Sequence, residues 1–145
     1  MLDMSHQETW VRWVLDSLQS QNEDTIKKVL EQCGRWCCQG SGYNRRSLDA
    51  AAKSKDDNEF LENLRKTWDH LELTGGEIYV VYPKCYCPIG QALVKEFPGK
   101  VSGFCNCSVG WVKEMFEPAL KRTVKVRLLK SVVHGDDHCR FKVTL

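Results

Sequence analysis

The chain has 145 residues and a mass of 16.7 kDa, which fits a single domain. Apolar residues make up 42% and charged residues 28% of it, an ordinary globular composition that excludes disordered, collagen-like and coiled-coil chains. It holds no run of about 18 apolar residues, so neither a transmembrane helix nor a membrane partner is expected. The polar N-terminus does not resemble a signal peptide, and we therefore expect a cytoplasmic protein.

The formal net charge of +2 is unevenly divided along the chain. Residues 1–73 carry 10 basic and 13 acidic side chains, whereas residues 74–145 carry 11 and 6. A nucleic-acid-binding module usually has a stronger basic stripe, so no nucleic-acid partner is expected. A modest basic run in the second half is interpreted as the solvated face of a strand. It consists of Lys121, Arg122, Lys125, Arg127 and Lys130.

Apolar residues at helical spacing predict four helices in the first half of the chain. The first spans residues 5–20, where Ser5 and Glu8 have the spacing of a capping box. The others span residues 24–37, 47–53 and 56–71, and the glycines at 75 and 76 end the helical half. The apolar stripe expected in the core from the first helix consists of Trp10, Trp13, Val14 and Leu18.

The second predicted helix is capped by Asp24 and places two cysteines in the core. Cys33 and Cys37 are four residues apart, on the face expected to be buried, and are candidates for lining a ligand pocket. Cys38 points about 100° away from that face. A loop over residues 39–46 follows, because glycines break the helical pattern there.

Residues 74–145 combine short strands with a helix. Strands are predicted over residues 77–82 and 123–133, and the last strand, 138–145, forms a hairpin with the strand before it. Ser108 is expected to cap the helix between them, whose inner face carries Trp111 and Phe116 as further pocket candidates. The sequence thus predicts one α+β domain over residues 1–145. Its N-terminal helices (1–73) pack on a small antiparallel sheet with a C-terminal β-hairpin (74–145). Pro98–Gly99 is predicted as a turn.

Eight cysteines are more than a cytosolic chain of this size ordinarily holds. In a reducing compartment such a density points to metal ligation or thiol chemistry, while some cysteines can simply be small core residues. Two Cys-x-Cys pairs stand seventeen residues apart, and bending such a pair brings its sulfurs close enough for a tetrahedral zinc ion. The predicted metal ligands are Cys85, Cys87, Cys105, Cys107 and Cys139, with zinc expected and iron left open.

Cys107 stands just before the predicted Ser108-capped helix. The unpaired N–H groups and the dipole of that helix would lower the pKa of the Cys107 thiol. A lowered pKa suits either a metal ligand or a nucleophile. Motifs of classical hydrolases and nucleotide-binding folds (H-E-x-x-H, G-x-S-x-G and the P-loop) are absent from the sequence.

The segment 104–116, followed by 124–141, resembles the C-terminal half of the vinyl-reductase-like small-molecule-binding domains. These include the sensor domains of aromatic-catabolism activators. The segment is also similar to the L-2-amino-thiazoline-4-carboxylic acid hydrolase-like family. The resemblance covers about residues 77–145. Its signature is a cysteine-containing turn into a helix, a strand pair and a closing motif. Here the closing motif is Gly135, Asp136, Cys139 and Phe141.

The resemblance implies an α+β domain with an internal ligand cavity. In the aromatic sensors it further implies a structural zinc held by cysteines and one carboxylate. Two of those ligands correspond to Cys139 and to either Cys105 or Cys107, but Leu128 and Ser131 stand near the other two ligand positions. The hydrolase family implies opening of a thiazoline ring.

From these patterns we predict a cysteine-rich, zinc-binding domain that binds or senses a small molecule and has no output module of its own. The expected partners are a small apolar or thiol-related molecule and, in a homodimer, a second copy of the chain. The alternative is a thiol-dependent hydrolase. For it no acid–base pair stands out, because strand alternation puts His138 and Cys139 on opposite faces. A third hypothesis is a protein-interaction subunit whose cysteines only pack the core.

Overall fold

The computed structural model describes residues 4–96 and 103–145 and confirms the predicted α+β class. The helices are α1 (Met4–Leu18), α2 (Glu23–Ser41), α3 (Arg45–Ala52), α4 (Asp57–Arg65), α5 (Pro88–Glu96) and α6 (Asn106–Leu120). The strands are β1 (Leu71–Thr74), β2 (Glu77–Tyr82), β3 (Lys125–Lys130) and β4 (Cys139–Thr144), with one 3-10 turn at Val132–His134. The predicted turn at Pro98–Gly99 and the side chains of Ser5 and Glu8 lie outside the described part. No helix in the described part is long and apolar enough to cross a bilayer.

The four strands form one antiparallel sheet in the order β1-β2-β4-β3. The predicted C-terminal hairpin is confirmed: β3 pairs with β4, and the 3-10 turn connects them. Strand β3 ends earlier than predicted because the chain turns at Ser131, the residue before that 3-10 turn. Alternation along β4 buries Cys139, Phe141 and Val143 against the helices, as expected for a sheet with one solvated face.

The first strand was missed, because residues 56–71 were predicted as one helix. Helix α4 ends at Arg65, and Leu71, predicted as the last residue of the helix, is the first residue of β1. Gly75 and Gly76 have φ values of 60° and 78°, the left-handed region that a tight two-residue hairpin requires. The predicted division between residues 73 and 74 therefore falls inside a strand that pairs with β2.

Helix ends also differ from the prediction. Asn22, not Asp24, caps α2, since its side chain accepts a hydrogen bond from the Thr25 N–H at 2.9 Å. Helix α2 then continues to Ser41, through the predicted loop. Helix α6 begins directly after Cys105, so that Ser108 lies within the helix and does not cap it.

Helices α2 and α6 pack backbone against backbone. A methyl group at Gly34 of α2 would lie 1.7 Å from the Cys107 carbonyl oxygen. One at Gly110 of α6 would lie 1.9 Å from the Glu31 carbonyl oxygen. Both distances are far below van der Waals contact, so the close approach of the two helices requires glycine at both positions.

An ion-pair network joins the same two helices beside the glycine contact. The Arg35 guanidinium lies 3.3 Å from a carboxylate oxygen of Glu114 and 2.5 Å from one of Glu117. Gln39 donates to the other oxygen of Glu114 at 2.9 Å. Glu114 is only 5% exposed, so these two donors compensate a buried charge.

The main core lies between the sheet and helices α2, α3, α4 and α6. Its largest side chains are aromatic: the Phe60 and Phe116 ring centroids are 6.1 Å apart in an edge-to-face arrangement, and Trp68 lies 6.2 Å from Phe116. Such contacts add to the stabilisation from burial alone. The predicted basic run is exposed as expected, and Arg122 forms an ion pair with Asp57.

Helix α1 turns a different face inward from the one predicted. Val11, Leu15 and Leu18, spaced i, i+4 and i+7, pack in a second small core with Leu30 of α2. Trp10 and Trp13, predicted to be buried, are exposed together with Val14. Both stripes have helical spacing, so the sequence pattern did not distinguish them.

We expect Gly110→Ala to lower the free energy of unfolding by about 3 kcal/mol, because the new methyl group meets a backbone carbonyl that cannot rotate away. Gly40→Ala is the matched control in α2, since a methyl group there has no neighbour within 4 Å. That control is expected to stay within about 1 kcal/mol of wild type, on the stabilising side. Urea denaturation measures both. Equal stability of the two variants would contradict the backbone contact.

We expect Arg35→Met to cost about 3 kcal/mol of stability, because it leaves the buried Glu114 carboxylate without its cation. Arg65→Met, which removes an exposed ion pair with Glu62, is the control and should cost less than about 0.5 kcal/mol. Adding Glu114→Gln to Arg35→Met should restore part of the loss, as measured by denaturation. A double variant no more stable than the single one would show that the lost packing of Arg35 dominates.

Candidate functional site

The structure reverses the predicted burial of the cysteines on α2. Cys33 and Cys37 are exposed, whereas Cys38 is completely buried. The reason is the glycine contact: α2 meets α6 at Gly34, so the buried stripe runs through Leu30, Gly34 and Cys38 at intervals of four residues. Cys33 and Cys37 lie beside this stripe at the surface.

Two of the predicted metal ligands are buried and hydrogen-bonded. The Cys105 sulfur lies 2.8 Å from the Ser131 hydroxyl oxygen, and the Cys139 sulfur accepts from the Val132 N–H at 3.3 Å. Ser131 in turn donates its N–H to the Asp136 carboxylate at 2.8 Å. The Gly-Asp motif of the sequence therefore fixes the turn that brings Ser131 to Cys105.

The expected activation of Cys107 is wrong. Burial raises the pKa of the Cys107 thiol to about 12, with smaller contributions from neighbouring thiols. Burial likewise raises the pKa of Cys105 to about 11, although its hydrogen bond with Ser131 acts in the opposite direction. Cys107 lies in the first turn of α6, but the loss of water around its sulfur outweighs the helix dipole.

The first Cys-x-Cys pair, Cys85 and Cys87, lies near the small core formed by Leu15, Leu30, Phe104 and Cys105. The Cys85 sulfur donates to the Cys87 carbonyl oxygen at 3.7 Å, and Cys87 packs with Cys107 around Phe104. Neighbouring thiols contribute to the raised pKa of Cys85 and Cys105, so these cysteines share one region of the fold.

The residues present do not fit the zinc site that the resemblance implies. Ser131 occupies one ligand position and holds the sulfur of Cys105, and Leu128, near another, is apolar. Across residues 4–96 and 103–145, no group of three or more His, Cys, Asp or Glu side chains is arranged to hold a metal ion. Binding of zinc or iron by the wider set of five thiols stays a prediction.

An aromatic cluster that sequence reasoning missed lies at the end of β2. The Tyr82 ring centroid is 4.6 Å from that of His70 and 6.1 Å from those of Phe141 and Tyr86. His70 is fixed by two contacts with Val81, whose carbonyl oxygen lies 3.1 Å from His70 Nδ1. The available signal was the alternation of Ile78, Val80 and Tyr82, which puts Tyr82 on the buried face of β2.

The Tyr82 side chain is half-buried and packs against the main core. Burial raises the pKa of this phenol far above its ordinary value, and Tyr43, Cys38 and Cys139 raise it further. Within the described residues no completely buried side-chain nitrogen or oxygen lacks a hydrogen-bond partner. The Tyr82 hydroxyl, which forms no hydrogen bond with those residues, is therefore reached by solvent. The hydroxyl is therefore a neutral polar group close to rings and thiols.

The two aromatic pocket candidates on α6 have different surroundings. Trp111 is half-buried, and its ring lies 5.8 Å from that of Tyr43, which is close to the Tyr82 phenol. Phe116 is fully buried between Phe60 and Trp68, so it packs the core. Of the pair, Trp111 is the one that contacts Tyr43.

A cleft of about 390 Å³ opens at the other end of β2, between α4 and the β1–β2 hairpin. Leu61, Leu73 and Val143 contribute apolar surface to it. The carboxylates on its rim, Asp57 and Glu77, already form ion pairs with Arg122 and Lys142. The cleft thus offers apolar contact, and the side-chain carboxylates on its rim are already paired.

The described residues contain no hydrogen-bonded Cys–His pair. His138 lies 2.5 Å from the Asp137 carboxylate on the exposed turn before β4, while Cys139 faces the core. This agrees with the predicted alternation. Burial is the leading cause of a raised pKa at Cys37, Cys38 and Cys85 as well as at Cys105, Cys107 and Cys139. None of these six thiols is activated as a nucleophile.

Comparison with solved structures identifies the fold. The chain is similar to the phenol-responsive sensory domain of the transcription activator PoxR, solved with phenol, at a TM-score of 0.57 and 13% sequence identity. The match covers 98% of this chain and 75% of that domain. The chain therefore shares the overall fold of that domain. A search of curated proteins found no match.

A family model covers nearly the whole chain, from residue 2 to residue 145. The match includes the N-terminal helices, which the resemblance over residues 77–145 did not. It also spans the glycine contact of α2 with α6, the Cys105–Ser131 pair and the Tyr82 cluster. The chain belongs to this family, a family of unknown function (DUF6144).

Proposed function

We propose that this chain is a small-molecule-binding domain of the sensor type, and that it takes a small, uncharged aromatic molecule with a hydroxyl group. The observation that carries the proposal is the Tyr82 hydroxyl. It belongs to a half-buried side chain, is held neutral among rings and thiols, is reached by solvent, and forms no hydrogen bond with the described residues. A ligand hydroxyl can replace the water that such a hydroxyl binds, in surroundings where a hydrogen bond is stronger than in open water.

The surroundings of this hydroxyl favour an aromatic ligand. The rings of His70, Tyr86 and Phe141 contact that of Tyr82. Tyr43, whose ring lies 5.8 Å from that of Trp111, is close to the Tyr82 phenol. Ligand pockets are mostly apolar and aromatic, with few polar groups that fix orientation. A planar molecule can pack against these rings while its hydroxyl bonds to Tyr82.

The fold supports the same proposal. The PoxR domain is described as phenol-responsive and was solved with phenol. Its fold accommodates a molecule of the size and polarity that the Tyr82 surroundings favour. Zinc is left out of the proposal because the side chains near Cys105 and Cys139 do not form a four-ligand site.

We expect phenol to bind the wild-type chain and Tyr82→Phe to weaken that binding about tenfold, because one hydrogen bond is lost. Toluene, which has no hydroxyl, should bind both proteins equally. Tyr79→Phe is the matched control: Tyr79 is on the opposite face of β2, beneath the Arg140 guanidinium. Isothermal titration calorimetry measures all three proteins.

The binding results distinguish a wrongly placed site from a wrong ligand class. If phenol binds but Tyr82→Phe has no effect, the site is elsewhere, for example in the cleft near Leu61. If neither phenol nor toluene binds, the proposed ligand class is wrong. The free energy of unfolding of Tyr82→Phe should stay close to that of wild type, because the hydroxyl forms no hydrogen bond with the described residues.

The thiols are expected to react slowly, in contrast to those of a thiol-dependent hydrolase. Because the pKa values of Cys38 and Cys107 are raised to about 12, the thiolate fraction at neutral pH is lower than at an ordinary cysteine by roughly a thousandfold. Iodoacetamide labelling followed by peptide mass analysis should modify the exposed Cys33 well before either of them. Their reactivity should increase as the pH rises. Rapid modification of Cys107 at pH 7 would restore the hydrolase hypothesis.

A further inference from the structure

Helix α2 presents an uncharged stripe to solvent. Val29, Cys33, Trp36 and Gly40 follow one another at intervals of four, three and four residues, so they share one face. All four are exposed, and Trp36 is 62% exposed. This spacing is that of the contact seam in packed helix pairs.

Helix α1 presents a second apolar face. Trp10 and Trp13 are 63% and 66% exposed, and Val14 lies beside them. Ser17 continues the same face one turn on, and its hydroxyl is already bonded to the Trp13 carbonyl oxygen at 2.8 Å. None of these four side chains is charged, so covering them would bury no charge.

The three tryptophans of these faces expose enough area for the apolar part of a standard interface. A tryptophan side chain presents up to about 250 Å², so Trp10, Trp13 and Trp36 together expose about 480 Å² of mainly apolar surface. A standard interface takes about 800 Å² from each partner. Roughly 57–65% of that area is apolar, which is close to what the three tryptophans supply.

We infer that the outer faces of α1 and α2 bind a second copy of this chain, in a two-fold symmetric dimer whose contact is made by helices. A two-fold dimer brings the same patch of both copies together, so the patch must be complementary to itself. An uncharged face meets this condition, because it brings no like charges into contact. The heptad-like spacing on α2 provides the ridge and groove that a second helix needs.

The dimer would also complete the packing of α1. On its inner side this helix is held by Val11, Leu15 and Leu18 against a small core. Its outer side has an equally apolar face without a partner within the described residues. Burying both sides would anchor α1 more firmly than the small core alone.

Sedimentation velocity on the full chain, over a wide range of concentrations, tests the inference. The wild type should shift from monomer to dimer as concentration rises. Trp36→Glu and Trp13→Glu should each raise the dissociation constant more than tenfold, because a charge replaces an aromatic anchor. The control is Leu48→Glu on α3, a residue 42% exposed outside the two faces, which should leave the dissociation constant unchanged.

Circular dichroism checks that each variant is folded, which we expect because all three side chains are largely exposed. Tryptophan fluorescence gives a second measurement: the emission of the wild type should move to longer wavelength on dilution, as the indole rings become solvated. A monomeric wild type at every concentration would overturn the inference. So would a dimer that only Leu48→Glu weakens, or one that none of the variants weakens.

Discussion

The backbone contact between α2 and α6 is the constraint on which the rest of the structure depends. With Gly34 and Gly110 at the crossing, each helix lies against a carbonyl of the other. The contact orients α2 so that Leu30 and Cys38 are buried and Cys33 and Trp36 are exposed. It also holds the start of α6, and with it Cys105 and Cys107, beside the small core around Phe104.

The fold class and most elements could be predicted from hydrophobic periodicity, because α6, β2 and β4 each have one unambiguous apolar face. Helix α1 and helix α2 each have two competing stripes, and the sequence alone favoured the wrong one. A tryptophan counts as strongly apolar wherever it stands, whereas a glycine at a helix crossing gives no apolar signal. In α2 it is Gly34 that determines which face is buried. Strand β1 was missed because Trp68 and Leu71 keep the helical spacing of α4 after the helix has ended.

The candidate site was harder to predict than the fold. Cysteine spacing identified the right region but not the chemistry, because thiol behaviour depends on burial and hydrogen bonding that spacing does not contain. Ser131 shows this: its hydroxyl contacts Cys105 from 26 residues away. Tyr82 was overlooked because a tyrosine at the end of an apolar strand looks like ordinary core. Only its position among Tyr43, Cys38 and Cys139 distinguishes it.

The contact between α2 and α6 has a kinetic consequence. Arg35 and Glu114 are 79 residues apart in the chain, so the contact closes a long loop before it yields any stabilisation. Although helices dominate the first half, this chain should fold more slowly than a bundle whose helices meet their sequence neighbours. A nascent chain that stops before α6 has neither of the glycine crossings nor a partner for Arg35. The apolar faces of the N-terminal helices therefore stay exposed to solvent until α6 has been synthesised.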